Sequence, residues 1–229
     1  MLRQPGHADG GVDLYDVTVR YAGLVALEAI SGRFEPGSLT AVVGANGAGK
    51  STLLGAIAGV VRTAGGRISR PANDQIAYLP QLAAIDRDFP LTVTELIALG
   101  GWRHFGVFRA PPADSLEKMA AAVTAVGLTG ALGRRIRQLS VGELRRALFA
   151  RLIMQDAAVI LLDEPFAAVD AAAMSALLDQ VVRWHEEGRT VIAVLHDLEM
   201  VRMRFPSTLV LARRCVAWGP TEAALPAGA

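Results

Sequence analysis

A single cysteine, Cys215, stands among the 229 residues, which excludes an intrachain disulfide and any zinc site built on several cysteines. The four histidines, His7, His104, His185 and His196, are scattered, so their spacing offers no cluster of metal ligands. An excess of one charge is missing too. The 23 Lys and Arg against 22 Asp and Glu leave a net charge of +1, too weak a field to attract nucleic acid or acidic lipid. Although hydrophobic residues make up 52% of the chain, no long apolar run occurs. The longest stretch free of Asp, Glu, Lys and Arg runs from Met119 to Gly133 and is rich in Ala, Gly and Thr. A membrane-spanning helix needs about 20 strongly apolar residues. Met1 to His7 lack the apolar core of a signal peptide. These absences point to the cytoplasm and to one domain, with or without a subdomain, long enough to bury a substantial core. The apolar excess then belongs to that core or to a surface that docks on a partner.

Residues 1–11 carry three Gly and one Pro and read as a loose tail. Val12 to Tyr21 alternates apolar and polar residues like a half-buried strand. Leu39 to Val43 is a short apolar run that ends in glycines, with a helix expected from near Lys50. Val159 to Leu162 ends at Asp163-Glu164-Pro165 and precedes an Ala-rich helix from about Ala171. Val191 to Leu195 ends at His196-Asp197, again before a helical pattern. Uninterrupted apolar strands alternating with helices indicate a parallel sheet covered on both faces. From about 82 to 155 the pattern is helical throughout, with a loop near Arg109 to Pro112, and reads as a subdomain inserted between a core of 12–81 and 156–229. Thr208 to Trp218 reads as a hairpin around Arg213-Arg214.

Gly44-Ala45-Asn46-Gly47-Ala48-Gly49-Lys50-Ser51 fits the G-x-x-x-x-G-K-[ST] phosphate loop in the strand-to-helix setting which that loop requires. Glycines let backbone N–H groups curl around phosphate oxygens, and the helix N-terminus adds a favourable dipole. Lys50 is placed to reach the β- and γ-phosphates and the Ser51 hydroxyl to ligand Mg²⁺. A chance match in a chain this long is on the order of 1%. Ligands bind at the C-terminal ends of parallel strands, where Asp163 and Glu164 stand on one strand and His196 on another. Adjacent carboxylates point in different directions, which suits Asp163 to Mg²⁺ and Glu164 to the attacking water. His196 suits a γ-phosphate contact; the plainer reading is a polar stop. Ser140 and Glu143 satisfy a capping box at the start of a helix, and Gly142 in its first turn leaves N–H groups open to an anion. Asp170 reads as the N-cap of the helix from Ala171.

These motifs, in this order, resemble the ATP-binding subunit of an ABC transporter, over nearly the whole chain from about Val12 to Leu225. The resemblance implies a P-loop NTPase with a RecA-like parallel-sheet α/β core, N-terminal antiparallel strands and a helical subdomain. It makes Lys50, Glu164 and His196 the catalytic group, with Glu164 as general base. It places ATP on residues 44–51 with Thr52, and adenine on Tyr21, for which a strand-end core tyrosine is the alternative. Gln81 resembles the Q-loop glutamine, joining Ser51 and Asp163 around Mg²⁺. Leu139 to Glu143 resembles the LSGGQ signature and Ala167 to Asp170 the D-loop. Ser140, Gly142 and Asp170 would then face a nucleotide held by a second copy, in a head-to-tail dimer. Two residues depart from the signature, Val141 for glycine and Glu143 for glutamine.

The resemblance further implies a peripheral location on the cytoplasmic face of the membrane and a permease partner, and the near-neutral charge weighs against a nucleic-acid partner. Phe89, Trp102, Phe105 and Phe108 form either the permease-docking surface or the core of the helical subdomain. The segment from Leu96 through Phe108, and Asp197-Leu198 with Leu211 to Arg214 and Val216 to Pro220, resembles zinc and manganese importers, fed by an extracytoplasmic metal-binding protein. Iron-chelate importers stand close by. A P-loop kinase, a soluble ABC-type ATPase and a nucleotide-gated binding module without turnover remain the alternatives of other kinds.

Overall fold

The structure is a computed structural model that describes residues 10–105 and 113–226. Most of the expected tail and the expected loop at Arg109 to Pro112 lie outside the described residues. The chain divides into two compact units. The first gathers residues up to Pro80, Ala158–Pro165 and Trp184 onward; the second gathers Gln81–Ala157 and Phe166–Arg183.

In the first unit, β1 (Val12–Tyr21) and β2 (Leu24–Phe34) form an antiparallel hairpin. Ala22 and Gly23, both left-handed, make its two-residue turn, the geometry that follows the twist of the flanking strands. The alternation of β1 slips between Leu14 and Val17, the first of three register shifts against β2. There Asp16 takes φ +49°, its N–H donating to Ser31 Oγ at 2.8 Å and its carboxylate accepting from the same hydroxyl at 2.7 Å. The slip returns Val17 and Val19 to the buried face.

The second sheet of this unit is built from β3 (Leu39–Val43), β5 (Ile76–Leu79), β6 (Val159–Asp163), β7 (Thr190–Val194), β8 (Ser207–Leu211) and β9 (Cys215–Pro220). Its order is β5-β6-β7-β3-β8-β9, parallel except for the β8–β9 hairpin. Every residue of β3, β6 and β7 is buried, as unbroken apolar runs require of central parallel strands. Helix α1 (Lys50–Ala58) adds Leu53, Leu54 and Ile57 to a core shared with Val42, Leu161 and Ile192 of this sheet and Val19 and Ile30 of the hairpin. The remaining strand, β4 (Gly65–Ser69), pairs with β1. The ring of Trp218 on β9 packs on Phe34, centroids 4.5 Å apart. It covers Gly32 so closely that a Cβ there would lie 2.4 Å from the ring.

The second unit carries α2 (Val93–Phe105), α3 (Ala113–Ala125) and α4 (Val141–Gln155), and most of α5 (Ala171–Glu186). Its buried residues include Ile97, Val123, Leu144, Leu148 and Phe149. Helices α2 and α4 approach closely at Gly100, where a Cβ would sit 2.1 Å from the Arg151 carbonyl oxygen. The unit is not wholly helical as expected, since Thr92 and Arg135 form an isolated antiparallel bridge. Of the four aromatics in question, Phe89 is 56% and Trp102 41% exposed, so these two are not core. The Phe105 side chain and Phe108 lie outside the described residues.

Candidate functional site

The phosphate loop leaves the end of β3 and is pressed into shape from outside. At Gly44 a Cβ would stand 2.2 Å from the Leu211 carbonyl oxygen; at Gly49 it would stand 2.5 Å from Leu27 Cδ2 and 2.7 Å from the Ala26 carbonyl oxygen. Gly49 also takes φ +96°, where only glycine sits without strain. Between them the Ala48 carbonyl accepts a hydrogen bond from the Arg213 N–H at 2.9 Å. Arg213 takes φ +61° to make it, and passes its own carbonyl to the Glu28 N–H at 2.8 Å. The β8–β9 tip thus braces the loop against β2. No local pattern announces this brace, because its two sides are far apart in the sequence.

Helix α1 opens at Gly49 with no side chain capping it, which leaves its first turn suited to an anion. Lys50 is buried, and its ammonium donates to the carbonyls of Gly44 at 2.8 Å and Ala45 at 3.0 Å. Burial draws the Lys50 pKa below the ordinary lysine value, while the charges of Glu164 and Asp163 push it back up. Ser51 and Thr52 follow in the first turn.

Asp163 ends β6 and is 1% exposed. Glu164 then turns into the left-handed region at φ +52°, its N–H donating to the Val194 carbonyl at 3.2 Å. This one left-handed residue separates two adjacent carboxylates: Asp163 stays buried and Glu164 comes partly into solvent, where its Oε1 lies 3.0 Å from His196 Nε2. Tyr78 on β5 completes the surroundings. Burial, with the nearby charges of Asp163 and Tyr21, pushes its phenol up to about 12. Tyr21 ends β1 half exposed, so the alternative of a core tyrosine does not hold. The first unit therefore brings together residues 44–52, Asp163, Glu164 and His196, with Tyr21 at the tip of its hairpin.

The remaining candidates lie in the second unit. Gln81 opens it and precedes a short 3-10 turn, Leu82–Ala84. Ser140 caps α4 in a complete capping box: its Oγ accepts from the Glu143 N–H at 3.2 Å, and Glu143 Oε2 accepts from the Ser140 N–H at 2.7 Å. Glu143 also pairs with Arg134 at 2.6 Å. The Ser140 N–H and the Arg134 guanidinium hold its carboxyl well below the usual range, at about 2. Gly142 faces the segment 167–170, and a Cβ there would meet the Ala168 carbonyl oxygen at 3.4 Å and Val169 at 3.9 Å, ordinary contacts. Asp170 caps α5, accepting from the Ala173 N–H at 2.9 Å, and that bond holds its carboxyl below the usual range. Val141 is exposed.

A parallel sheet with a braced phosphate loop, a buried aspartate, and a glutamate paired to a histidine on adjoining strand ends defines a nucleoside triphosphatase of the P-loop class. A family model described as ABC transporter matches residues 27–167, more than half of the chain. The manganese transport system ATP-binding protein MntB of Bacillus subtilis (strain 168) is 38% identical over 217 residues, spanning 92% of this chain and 87% of that one. The zinc transport system ATP-binding protein TroB of Treponema pallidum (strain Nichols) is 35% identical over 219 residues, spanning 93% and 82%. Among solved structures, an ATP-binding subunit of an ABC transporter superposes with a TM-score of 0.82 at 22% identity, covering 93% of this chain and 90% of that one; at this identity the likeness concerns the fold. The chain belongs to the ABC transporter family, as an ATP-binding subunit that hydrolyses ATP to drive transport.

Proposed function

We propose that this subunit powers uptake of a divalent metal ion, manganese or zinc, working as a head-to-tail dimer on the cytoplasmic face of a membrane permease. Relatives at 32–38% identity with manganese and zinc transport names support the substrate class. Among the described residues no helix is long and apolar enough to cross a membrane; in this reading a permease partner supplies the path for the ion. The exposed Phe89 and Trp102 support docking by the second unit. An extracytoplasmic metal-binding protein would deliver the ion to the permease.

The observation that carries the dimer is Gly142. Its own chain does not require glycine there, since the backbone is helical and the nearest atom to an added Cβ is at 3.4 Å. A capped helix start kept bare at this point suits a phosphate arriving from another molecule. ATP held by residues 44–52, with Tyr21 against the adenine, would meet Ser140, Gly142 and the Asp170 segment of a second copy. Lys50 exchanges its carbonyl partners for phosphate oxygens. Glu164 is the general base toward water, and His196 holds its carboxylate and senses the γ-phosphate.

The donor set of the first unit suits Mg²⁺: the Ser51 hydroxyl and the Asp163 carboxylate are hard oxygen ligands, few enough to share the ion with phosphates, and the resemblance adds the Gln81 amide. When bound, Mg²⁺ neutralises charge developing on the β- and γ-oxygens.

Uptake of radiolabelled manganese and zinc, in cells whose chromosomal copy carries Glu164→Gln, tests the reading. Loss of uptake of either ion, with the permease still in the membrane, is expected. Normal uptake of both ions, or loss of a metal-chelate instead, would remove the divalent-metal assignment.

A further inference from the structure

The signature departs from its family pattern by placing a carboxylate, Glu143, in the first turn of the helix that is proposed to receive the γ-phosphate. An unbalanced negative charge there opposes a polyphosphate, since like charges brought together weaken association. The second unit contains a specific answer. Arg134 Nη1 meets Glu143 Oε1 at 2.6 Å, and the other arm of the same guanidinium donates to the Gln138 carbonyl at 2.6 Å. One planar fork therefore spans the loop from 138 to 143, with Ser140 in the middle.

The fork is itself held in place. The Arg134 N–H donates to the Ala131 carbonyl at 3.0 Å, and its carbonyl accepts from the Val93 N–H at 2.9 Å. The Arg135 N–H donates to Gln138 Oε1 at 2.9 Å, and Arg87 donates to the Leu139 carbonyl. Every backbone position from 138 to 140 is thus engaged on at least one polar group. The Arg134 side chain is 41% and that of Glu143 23% exposed, so solvent screening leaves such a pair little to add to overall stability. Its consequence is local: it fixes the loop that carries Ser140, and it cancels the charge of Glu143 at the face where a phosphate arrives.

We propose that Arg134 is a positioning residue for the ATP-bound dimer, holding the Ser140 cap and neutralising the carboxylate that this chain has in place of the family's glutamine. The proposal rests on the head-to-tail reading above. It makes Arg134 and Glu143 a matched pair, so that the need for the arginine disappears when the carboxylate is replaced by an amide.

The test follows Mg-ATP-driven dimerisation of the full chain by light scattering, in a Glu164→Gln background that blocks turnover. Adding Arg134→Ala should raise the ATP concentration needed for half-dimerisation by about tenfold, with the nucleotide-free melting temperature almost unchanged. Adding Glu143→Gln alone should leave dimerisation near the starting level. Adding both should restore it to within about threefold, a rescue that a merely structural role of Arg134 would not give. Should Arg134→Ala fail to fold, Arg134→Gln removes the charge while keeping a donor for the Gln138 carbonyl, and the same comparison is made with it. Unaltered dimerisation on removal of the arginine, or a double variant no better than the single one, overturns the proposal. A Glu164→Gln protein that stays monomeric at saturating Mg-ATP overturns the head-to-tail reading, and this proposal with it.

Discussion

His196 and Glu164 stand 3.0 Å apart on the ends of neighbouring parallel strands, joined ring nitrogen to carboxylate oxygen. The contact exists because Glu164 leaves the strand direction at φ +52° while Asp163, one residue earlier, stays buried in it. One backbone turn thus gives two adjacent acids separate tasks.

Glu164→Gln is therefore expected to bind ATP within about threefold of the parent and to lose steady-state hydrolysis by at least about a hundredfold, the usual scale for removing a general base. Phosphate release and equilibrium nucleotide titration measure the two effects. Hydrolysis at the parental rate would remove Glu164 from this role.

Two glycines, Gly44 at the start of the phosphate loop and Gly142 in the first turn of α4, should respond differently to the same substitution. Gly44→Ala drives a Cβ to 2.2 Å from the Leu211 carbonyl oxygen, a backbone clash that should cost about 2 kcal/mol or more in denaturant unfolding. Gly142→Ala meets ordinary contact at 3.4 Å and should shift stability by no more than about 0.5 kcal/mol. Its loss should show in ATP-driven dimerisation instead. Equal destabilisation of both variants would contradict the open space at Gly142.

Glu143 gives a pH dependence whose sign is fixed by its environment. Its carboxyl is lowered from 4.5 to about 2, first by the Ser140 N–H and then by Arg134. An acid held below its unfolded value adds stability that is complete above the unfolded pKa and is lost as pH falls through the folded one. The difference in melting temperature between the parent and Glu143→Gln should be constant above about pH 5 and shrink as pH falls from there toward 2. A difference that grows on acidification would contradict the hydrogen bonds to this carboxylate.

Arg213 should tolerate glycine and reject proline. Its φ of +61° costs an L-residue conformational energy, so Arg213→Gly should be neutral or stabilising by up to about 1 kcal/mol. Arg213→Pro removes the N–H that reaches Ala48 and cannot adopt that φ; a loss of about 2–3 kcal/mol and a raised KM for ATP are expected. Arg214, whose ion pair with Glu28 is exposed, should cost under about 1 kcal/mol on change to alanine. Denaturant titrations rank the three.

Much of this was legible in the chain. Strands β3, β6 and β7 were readable because each fully buried strand holds at least three consecutive apolar residues, and the phosphate loop because its glycines and Lys50 keep a fixed spacing. The capping box of Ser140 and Glu143 was readable because it is local. Strands β2, β4 and β5 were not placed by residue. Leu24–Phe34 mixes exposed Glu28 and Arg33 with buried Leu27 and Ile30, and Ile76–Leu79 is only four residues long. Tyr21, Phe89 and Trp102 could be named but not judged, since exposure depends on what the rest of the fold covers. The Arg134–Glu143 pair and the Arg213–Ala48 bond lay beyond any pattern, because each joins segments whose meeting is decided by tertiary packing. Glu164's left-handed turn had no signal at all, the position being held by neither glycine nor asparagine.

The brace on the phosphate loop also bears on when the protein becomes competent during synthesis. Leu27 and Ala26, which press on Gly49, are made before residues 44–49, whereas Leu211, which presses on Gly44, and Arg213, which bonds Ala48, are made long after them. A nascent chain that stops short of Leu211 and Arg213 contains the phosphate loop supported on its Gly49 side alone, so ATP adds its full share to folding only once the β8–β9 hairpin has been made.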